Sequence, residues 1–228
     1  MATLHVERHD HAAASEAGLS RTLLAGGLVA GPLYVGVSLA QALTRDGFDL
    51  SRHTWSLLSN GDLGWIQITN FLLTGASIVV CAVGMRRVLR GQPGGTWGPL
   101  LLGLYGLGLI AAGLFVADPM DGFPRGTPAG PPVAISWHGL LHLVSGSLGF
   151  LCLIAGCFVF ARRFARLGQR GWMAYSIATG VVFFAAFVGI ASGSNQPPIV
   201  LGFVGGVILG FIWLAAVAAL LRRSTLAD

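Results

Sequence analysis

Six long apolar segments are the feature that most limits what this chain can fold into. Each has roughly the 20 residues or more that a helix needs to cross a hydrocarbon core of about 30 Å. They cover residues 22–43, 64–85, 97–117, 135–161, 172–192 and 199–221. Lipid offers no partner to an unpaired backbone group, and none of the segments alternates as barrel strands do. The sequence therefore predicts an all-α membrane protein, with a six-transmembrane-helix bundle over residues 21–223.

Two polar segments flank the predicted bundle. Residues 1–20 carry three histidines among alanine and charged residues, and residues 224–228 form a short polar end. Segments of low hydrophobicity cannot bury enough apolar surface to fold. We predict a disordered tail over residues 1–20, with its histidines solvated, and a short second tail over residues 224–228.

The arginines predict how the bundle sits in the membrane. All 14 basic residues are arginine. Eleven of them lie in or next to the two tails and the connections after the second and fourth segments, which share one side of the membrane. The connections on the other side contain only Arg45, Arg52 and Arg125. The positive-inside rule then predicts a multi-pass plasma membrane protein with cytoplasmic N and C termini. The net charge of +5 is interpreted as this topology signal and as contact with anionic membrane lipids. Nucleic acid is excluded as a partner because there is no basic stripe interleaved with aromatic residues.

Small residues recur at helical spacing in the first and last segments. Gly27 and Gly31 lie four residues apart, as do Gly202, Gly206 and Gly210. Such faces let helix backbones approach closely. They indicate either packing within the chain or contact between two copies in a homodimer.

The polar residues outside the tails collect in the connections on the arginine-poor side. The connection 118–134 contains five prolines and three glycines, which predicts an ordered, non-helical lid. In the first connection, "SRHTWSLLSN" predicts a short interfacial helix that ends at Asn60 and Gly61. That helix would hold His53 and Ser56 near the membrane surface.

Two histidines in "ISWHGLLH" are the strongest candidates for chemistry. His138 and His142 are one helical turn apart at the start of the fourth segment, and Asp118 ends the third segment at a similar depth. Ionisable groups at such depth usually face a bundle interior or a water-filled cavity. We predict a polar pocket around these three residues, with further lining from Asn70, Thr74 and Ser145.

Three stretches together resemble a known family. They are "RHTWSLLSNGDLGWIQITNF", "ADPMDGFPRGTPAGPP" and "SWHGLLH". Their combination resembles the bacterial integral membrane family called domain of unknown function 998. The resemblance covers nearly the whole chain and implies a six-helix architecture. It implies no reaction, cofactor or catalytic residue, so function has to be argued from the site.

Two enzymatic hypotheses fit these residues. In the first, His138 and His142 bind Zn²⁺ with Asp118 or His53 as third ligand, and the metal activates water for hydrolysis of a lipid-like ester or amide. Gly139 stands where soluble zinc proteases have their glutamate. In the second, the same groups act as acid and base in an isomerisation, cyclisation or transfer. We predict an enzyme that uses Asp118, His138 and His142, supported by His53 and Ser56, on a lipophilic substrate.

Other interpretations stay open at this point. Ser56 is a candidate nucleophile, although no glycine-flanked elbow surrounds it. Haem is disfavoured because two histidines a turn apart on one helix cannot take opposite axial positions. The main alternative to an enzyme is a small transporter, a lipid-binding module or a membrane assembly partner.

Overall fold

Six long helices make up most of the protein. The computed structural model describes the backbone of residues 2–225 and the side chains of residues 16–225. The helices are α1 Ala2–Thr44, α2 Gly64–Val88, α3 Trp97–Leu114, α4 Trp137–Arg166, α5 Arg170–Ala191 and α6 Pro197–Ser224. All six are long and apolar enough to cross a membrane, and the described part of the chain contains no strand. The predicted six-helix membrane bundle is confirmed.

Helix α1 begins much earlier than the sequence suggested. Its backbone starts at Ala2, and the side chains of residues 1–15 lie outside the described residues, so the disorder of the tail over residues 1–20 stays a prediction. This segment is rich in alanine and contains no proline, which favours a helix. Near its end Ser20 is buried, and its Oγ accepts a hydrogen bond of 3.4 Å from Nε of Arg87. At the other end α6 stops at Ser224, and residues 226–228 of the predicted second tail lie outside the described residues.

The helices form a closed ring. Each helix packs against its neighbours in sequence, and α6 packs against α1. Three connections, residues 45–63, 115–136 and 192–196, meet at one end of the ring, which we call the pocket end. The opposite end, which we call the arginine end, carries the start of α1, the end of α6 and the short connections 89–96 and 167–169.

The glycine faces serve packing within the chain at four of the five positions. A Cβ atom at Gly27, Gly31, Gly206 or Gly210 would lie 2.7 to 3.1 Å from side chains of neighbouring helices. Gly202 has no atom within 4 Å of such a Cβ. The first four glycines therefore let α1 and α6 approach their neighbours closely, whereas Gly202 lies on open surface.

The first two connections fold as ordered structure at the pocket end. A 3₁₀ helix, Trp55–Ser59, occupies the place of the predicted interfacial helix, and Asn60 is its C-cap. It is shorter than predicted and largely buried, because Trp55, Leu57 and Leu58 point into the core. The connection 115–136 contains no helix, as predicted, and buries Phe123.

Candidate functional site

A cavity of about 450 Å³ lies inside the ring at the pocket end. Its wall is mainly apolar, with Phe150, Phe187 and Phe203 beside Leu109 and Val207. Phe150 contacts Phe187 and Phe203 with ring centroids 5.8 and 5.5 Å apart. The polar part of the wall comes from the connections and from the start of α4. The volume lies within the range of about 300 to 1,000 Å³ that is usual for small-molecule pockets.

Asp118 lines this cavity and holds the start of α4. Its Oδ2 accepts a hydrogen bond of 2.9 Å from the Ser136 amide, and its Oδ1 accepts one of 2.5 Å from the Ser136 hydroxyl. Ser136 is the N-cap of α4, where its Oγ accepts a hydrogen bond of 3.0 Å from the Gly139 amide. The carboxylate therefore lies at the positive end of a helix dipole and completes a capping network.

The Asp118 carboxyl group also explains why position 139 is a glycine. A Cβ atom at this position would collide with the Asp118 carboxyl group. A glutamate in this place, as in soluble zinc proteases, has no room. The absence of that glutamate thus follows from how tightly the end of α3 packs against the first turn of α4.

His142 is the histidine that lines the cavity. It is buried, and its Nδ1 lies 2.9 Å from the Ala112 carbonyl oxygen and 2.8 Å from that of Phe115. Carbonyl oxygens only accept, so Nδ1 carries a proton and donates to both. In the neutral ring Nε2 is then a hydrogen-bond acceptor, and among the described residues it has no partner. The two carbonyls belong to the end of α3, so His142 also caps that helix.

His138 has a related contact but a different position. Its Nδ1 donates to the Val116 carbonyl at 2.8 Å and lies 4.0 Å from Oδ1 of Asp118. The residue does not line the cavity, and its side chain is 39% exposed. The spacing of four residues therefore lets both histidines anchor the end of α3, and only His142 faces the cavity.

His53 is engaged in the packing of the two long connections. Its Nδ1 accepts a hydrogen bond of 2.9 Å from the Asp49 amide, and its Nε2 donates one of 3.0 Å to the Asp121 carbonyl. The ring is buried between Phe48 and Phe123, with centroids 5.2 and 5.6 Å away. Both ring nitrogens are occupied, so His53 holds the connection 45–63 against the connection 115–136.

Asp49 and Arg45 support this arrangement. Oδ1 of Asp49 accepts hydrogen bonds from the hydroxyl and the amide of Ser51, and these bonds hold the pKa of the Asp49 carboxyl below its ordinary value. Arg45 donates to the carbonyl of Asn60 at 2.6 Å and lies over the Phe123 ring, 5.0 Å from its centroid. Burial lowers the pKa of this guanidinium group. The connections at the pocket end are therefore tied to each other by side chains.

Ser56 lines the cavity without the partner that a nucleophile needs. Its Oγ lies 3.1 Å from Oγ1 of Thr54, and its carbonyl accepts a hydrogen bond from Ser59. The histidine nearest in sequence, His53, has both ring nitrogens occupied. No described base thus activates the hydroxyl, and Ser56 is available as a hydrogen-bonding group of the cavity wall.

The predicted zinc ligands Asp118, His138 and His142 do not form a three-residue metal site among the described residues. No three His, Cys, Asp or Glu side chains among the described residues are grouped in a way that could hold a metal ion. Both histidines of the set use Nδ1 for backbone carbonyls, and only His142 faces the cavity. Of these three residues, Asp118 and His142 line the cavity, as Ser56 does.

Several polar residues of the cavity wall were missed in the sequence, among them Asp121 and Arg52. Asp121 is buried, has a φ of 54°, and accepts a hydrogen bond of 3.0 Å from Asn195 through Oδ1. Arg52 is exposed at the rim. The signal for Asp121 was its place in "DPMDG", because aspartate tolerates the left-handed backbone that a tight turn requires.

The three further residues predicted to line the pocket, Asn70, Thr74 and Ser145, lie elsewhere. Asn70 and Thr74 belong to a buried polar network between α1 and α2, in which Nδ2 of Asn70 donates to the Tyr34 carbonyl at 3.1 Å. Ser145 donates to the Leu141 carbonyl at 2.7 Å within α4. None of the three lines the cavity. Each has a helix partner that satisfies its polar atoms, which is what a hydrocarbon environment demands.

A family model described as "Protein of unknown function (DUF998)" matches residues 28–220. The chain belongs to the DUF998 family. This confirms the resemblance inferred from the sequence. Neither a curated protein nor a solved structure matches the chain.

The three stretches that carried the resemblance contact one another in this DUF998 chain. The "ADP" stretch binds the "SWHGLLH" stretch through Asp118 and Ser136. The "RH" of the first connection binds the "DPMDG" turn through His53 and Asp121. The motifs thus build one end of the DUF998 bundle, and the cavity lies directly beneath it.

Proposed function

We propose that the protein binds a lipophilic molecule in the cavity at the pocket end. The observation that carries this proposal is the apolar cavity of about 450 Å³ lined by His142, whose Nε2 has no hydrogen-bond partner among the described residues. The apolar body of the ligand lies against Phe150, Phe187 and Phe203. A hydroxyl or amine of the ligand donates a hydrogen bond to His142.

The polar groups near the start of α4 favour a ligand whose head group donates hydrogen bonds. Asp118 and Asp121 are acceptors as carboxylates, and the neutral ring of His142 accepts through Nε2. Ser56 and Thr54 are able to donate or accept, and Arg52 lies exposed at the rim. An alcohol or amine head group satisfies this wall better than a carboxylate, because buried acceptors need donors.

A cavity-filling substitution tests the proposal. Gly146 lines the cavity, and a Cβ atom there meets nothing within 4 Å, so Gly146→Leu fills space without displacing its neighbours. We expect the purified Gly146→Leu protein to retain at most about one tenth of the lipophilic compound per chain that the parent protein retains. Solvent extraction followed by mass spectrometry measures the retained compound.

The matched control for this experiment is Gly202→Leu. Gly202 lies on α6, lacks any neighbour within 4 Å of an added Cβ, and is not part of the cavity wall. Gly202→Leu should retain as much compound as the parent protein. Equal retention in both variants contradicts the proposal, because lipid held at the outer surface does not sense the cavity.

The second candidate function is acid–base catalysis on the bound molecule. It is favoured by His142, which lines the largely apolar cavity and whose Nε2 has no hydrogen-bond partner among the described residues. His142 is then the general base, and Asp118 is a carboxylate on the same wall. A general base in this place could accept a proton from attacking water in hydrolysis or from the substrate in an isomerisation or cyclisation. Conversion of the co-purified compound by the parent protein, and its loss in a His142 variant, distinguishes catalysis from binding alone.

We further propose that the protein lies in the plasma membrane with both termini in the cytoplasm and the pocket end outside. The excess of arginines at the arginine end supports this orientation. We expect a membrane-impermeant maleimide to label Arg125→Cys in intact cells and to leave Gln169→Cys unlabelled. Both positions are exposed, one at each end of the bundle. The reverse labelling pattern would overturn the orientation.

A further inference from the structure

A second apolar depression lies on the outer surface between α2 and α3. It has a volume of about 370 Å³, and we call it the α2–α3 groove. Ala82 and Gly103 line its middle, where a Cβ atom at Gly103 would lie 3.6 Å from that of Ala82. Its sides are aliphatic: Val83, Leu100, Leu104 and Leu107 are exposed, and Val79 is half-buried. An exposed apolar channel of this kind in a membrane protein faces lipid chains.

The length of the groove corresponds to one leaflet. Its lining on α3 begins at Thr96 and ends at Leu107. At 1.5 Å per residue this span is about 16 Å, which is about half of a hydrocarbon core of about 30 Å. One acyl chain of a lipid in the leaflet at the arginine end therefore fits along the groove.

The end of the groove is polar and positively charged. Arg86 and Thr96 line it there, and both are exposed. The ion pairs between described residues, Arg125 with Asp46 and His138 with Asp118, lie at the pocket end. Among the described residues, neither Arg86 nor the Thr96 hydroxyl has a side-chain hydrogen-bond partner. A guanidinium and a hydroxyl at the head-group level are the groups that bind a lipid phosphate.

We propose that the α2–α3 groove is a binding site for one anionic phospholipid. One acyl chain lies along the groove from Thr96 to Leu107, and the phosphate binds Arg86 and Thr96. The exposed indole of Trp97 lies at the same level, where tryptophan side chains favour the head-group region. This site is separate from the cavity at the pocket end and does not depend on the function proposed for that cavity.

Native mass spectrometry of the detergent-purified protein tests the site. The added probes are phosphatidylglycerol and phosphatidylcholine with identical acyl chains. We expect the first bound lipid to be phosphatidylglycerol with about a fivefold preference, which corresponds to one arginine near a membrane surface. Arg86→Gln should abolish this preference. Equal binding of both lipids by the parent protein would overturn the proposal.

Two further variants separate the groove from general surface charge. Arg90→Gln removes an exposed arginine at the same end that does not line the groove, so the preference should remain. Gly103→Leu fills the middle of the groove and should weaken the first binding event for both lipids. If Arg90→Gln and Arg86→Gln reduce the preference for phosphatidylglycerol equally, the lipid is attracted by the total charge of the arginine end. The proposed site in the groove is then refuted. Inorganic phosphate should not displace the lipid, because the acyl chain supplies part of the binding.

Discussion

Replacing Gly139 by alanine should strongly destabilise the protein, although the change adds only one methyl group. The new Cβ atom would occupy the position of the Asp118 carboxyl group. Asp118 would have to leave the amide and hydroxyl of Ser136, and the N-cap of α4 would lose its support. Loss of these bonds costs about 3 kcal/mol. Thermal unfolding in detergent, followed by fluorescence, should show a clearly lower midpoint.

The matched control is Gly146→Ala in the same helix. A Cβ atom at Gly146 meets nothing within 4 Å, so the substitution gains helix propensity without a collision. Its free energy of unfolding should be unchanged or higher by about 0.5 to 1 kcal/mol. A similar loss of stability in both alanine variants would mean that glycine itself, rather than the space next to Asp118, matters at position 139.

A double-substitution experiment identifies the cause of the Gly139→Ala effect. In an Asp118→Ala background the carboxyl group is absent, so the added methyl group no longer has anything to displace. Gly139→Ala should then cost much less than it does in the parent protein. If the two losses of stability simply add, the Asp118 carboxyl group is not the cause of the Gly139→Ala effect.

The architecture could be predicted from the sequence because it depends on local properties. Segment length, apolar composition and the position of arginines and prolines are all written along the chain. The six helices found are the six predicted, with boundaries that differ by a few residues at most of their ends. The exception is the start of α1, where a polar but alanine-rich segment continues the helix. Composition separates apolar from polar segments well, but it separates a polar helix from a disordered tail poorly.

The site could be predicted only in part because it depends on partners far away in sequence. The depth of His138 and His142 follows from their place in α4, but their carbonyl partners lie 22 to 30 residues earlier in the chain. These partners decide which histidine faces the cavity. His53 similarly depends on Asp121, which is 68 residues away. A pattern of residue types shows which side chains are polar, but not which of their atoms are already satisfied.

The second large effect is expected at His142. His142→Asn is the informative change, because the asparagine side-chain amide is able to donate to the Ala112 or Phe115 carbonyl as Nδ1 does. It removes Nε2 from the cavity wall. We expect the protein to remain folded, with a thermal midpoint close to that of the parent. Retention of the lipophilic compound should fall by about tenfold or more, because a buried polar group of the ligand loses its acceptor.

Comparison with two other variants separates the two roles of His142. His142→Ala loses both the cap of α3 and the acceptor in the cavity, so both stability and retention should fall. His138→Ala loses one bond to the Val116 carbonyl outside the cavity wall, so retention should stay near that of the parent protein. If His138→Ala abolishes retention while His142→Asn preserves it, the ligand does not bind at Nε2 of His142. The cavity proposal would then need a different polar contact, and Asp121, Ser56 and Thr54 are among the groups on the same wall that could supply one.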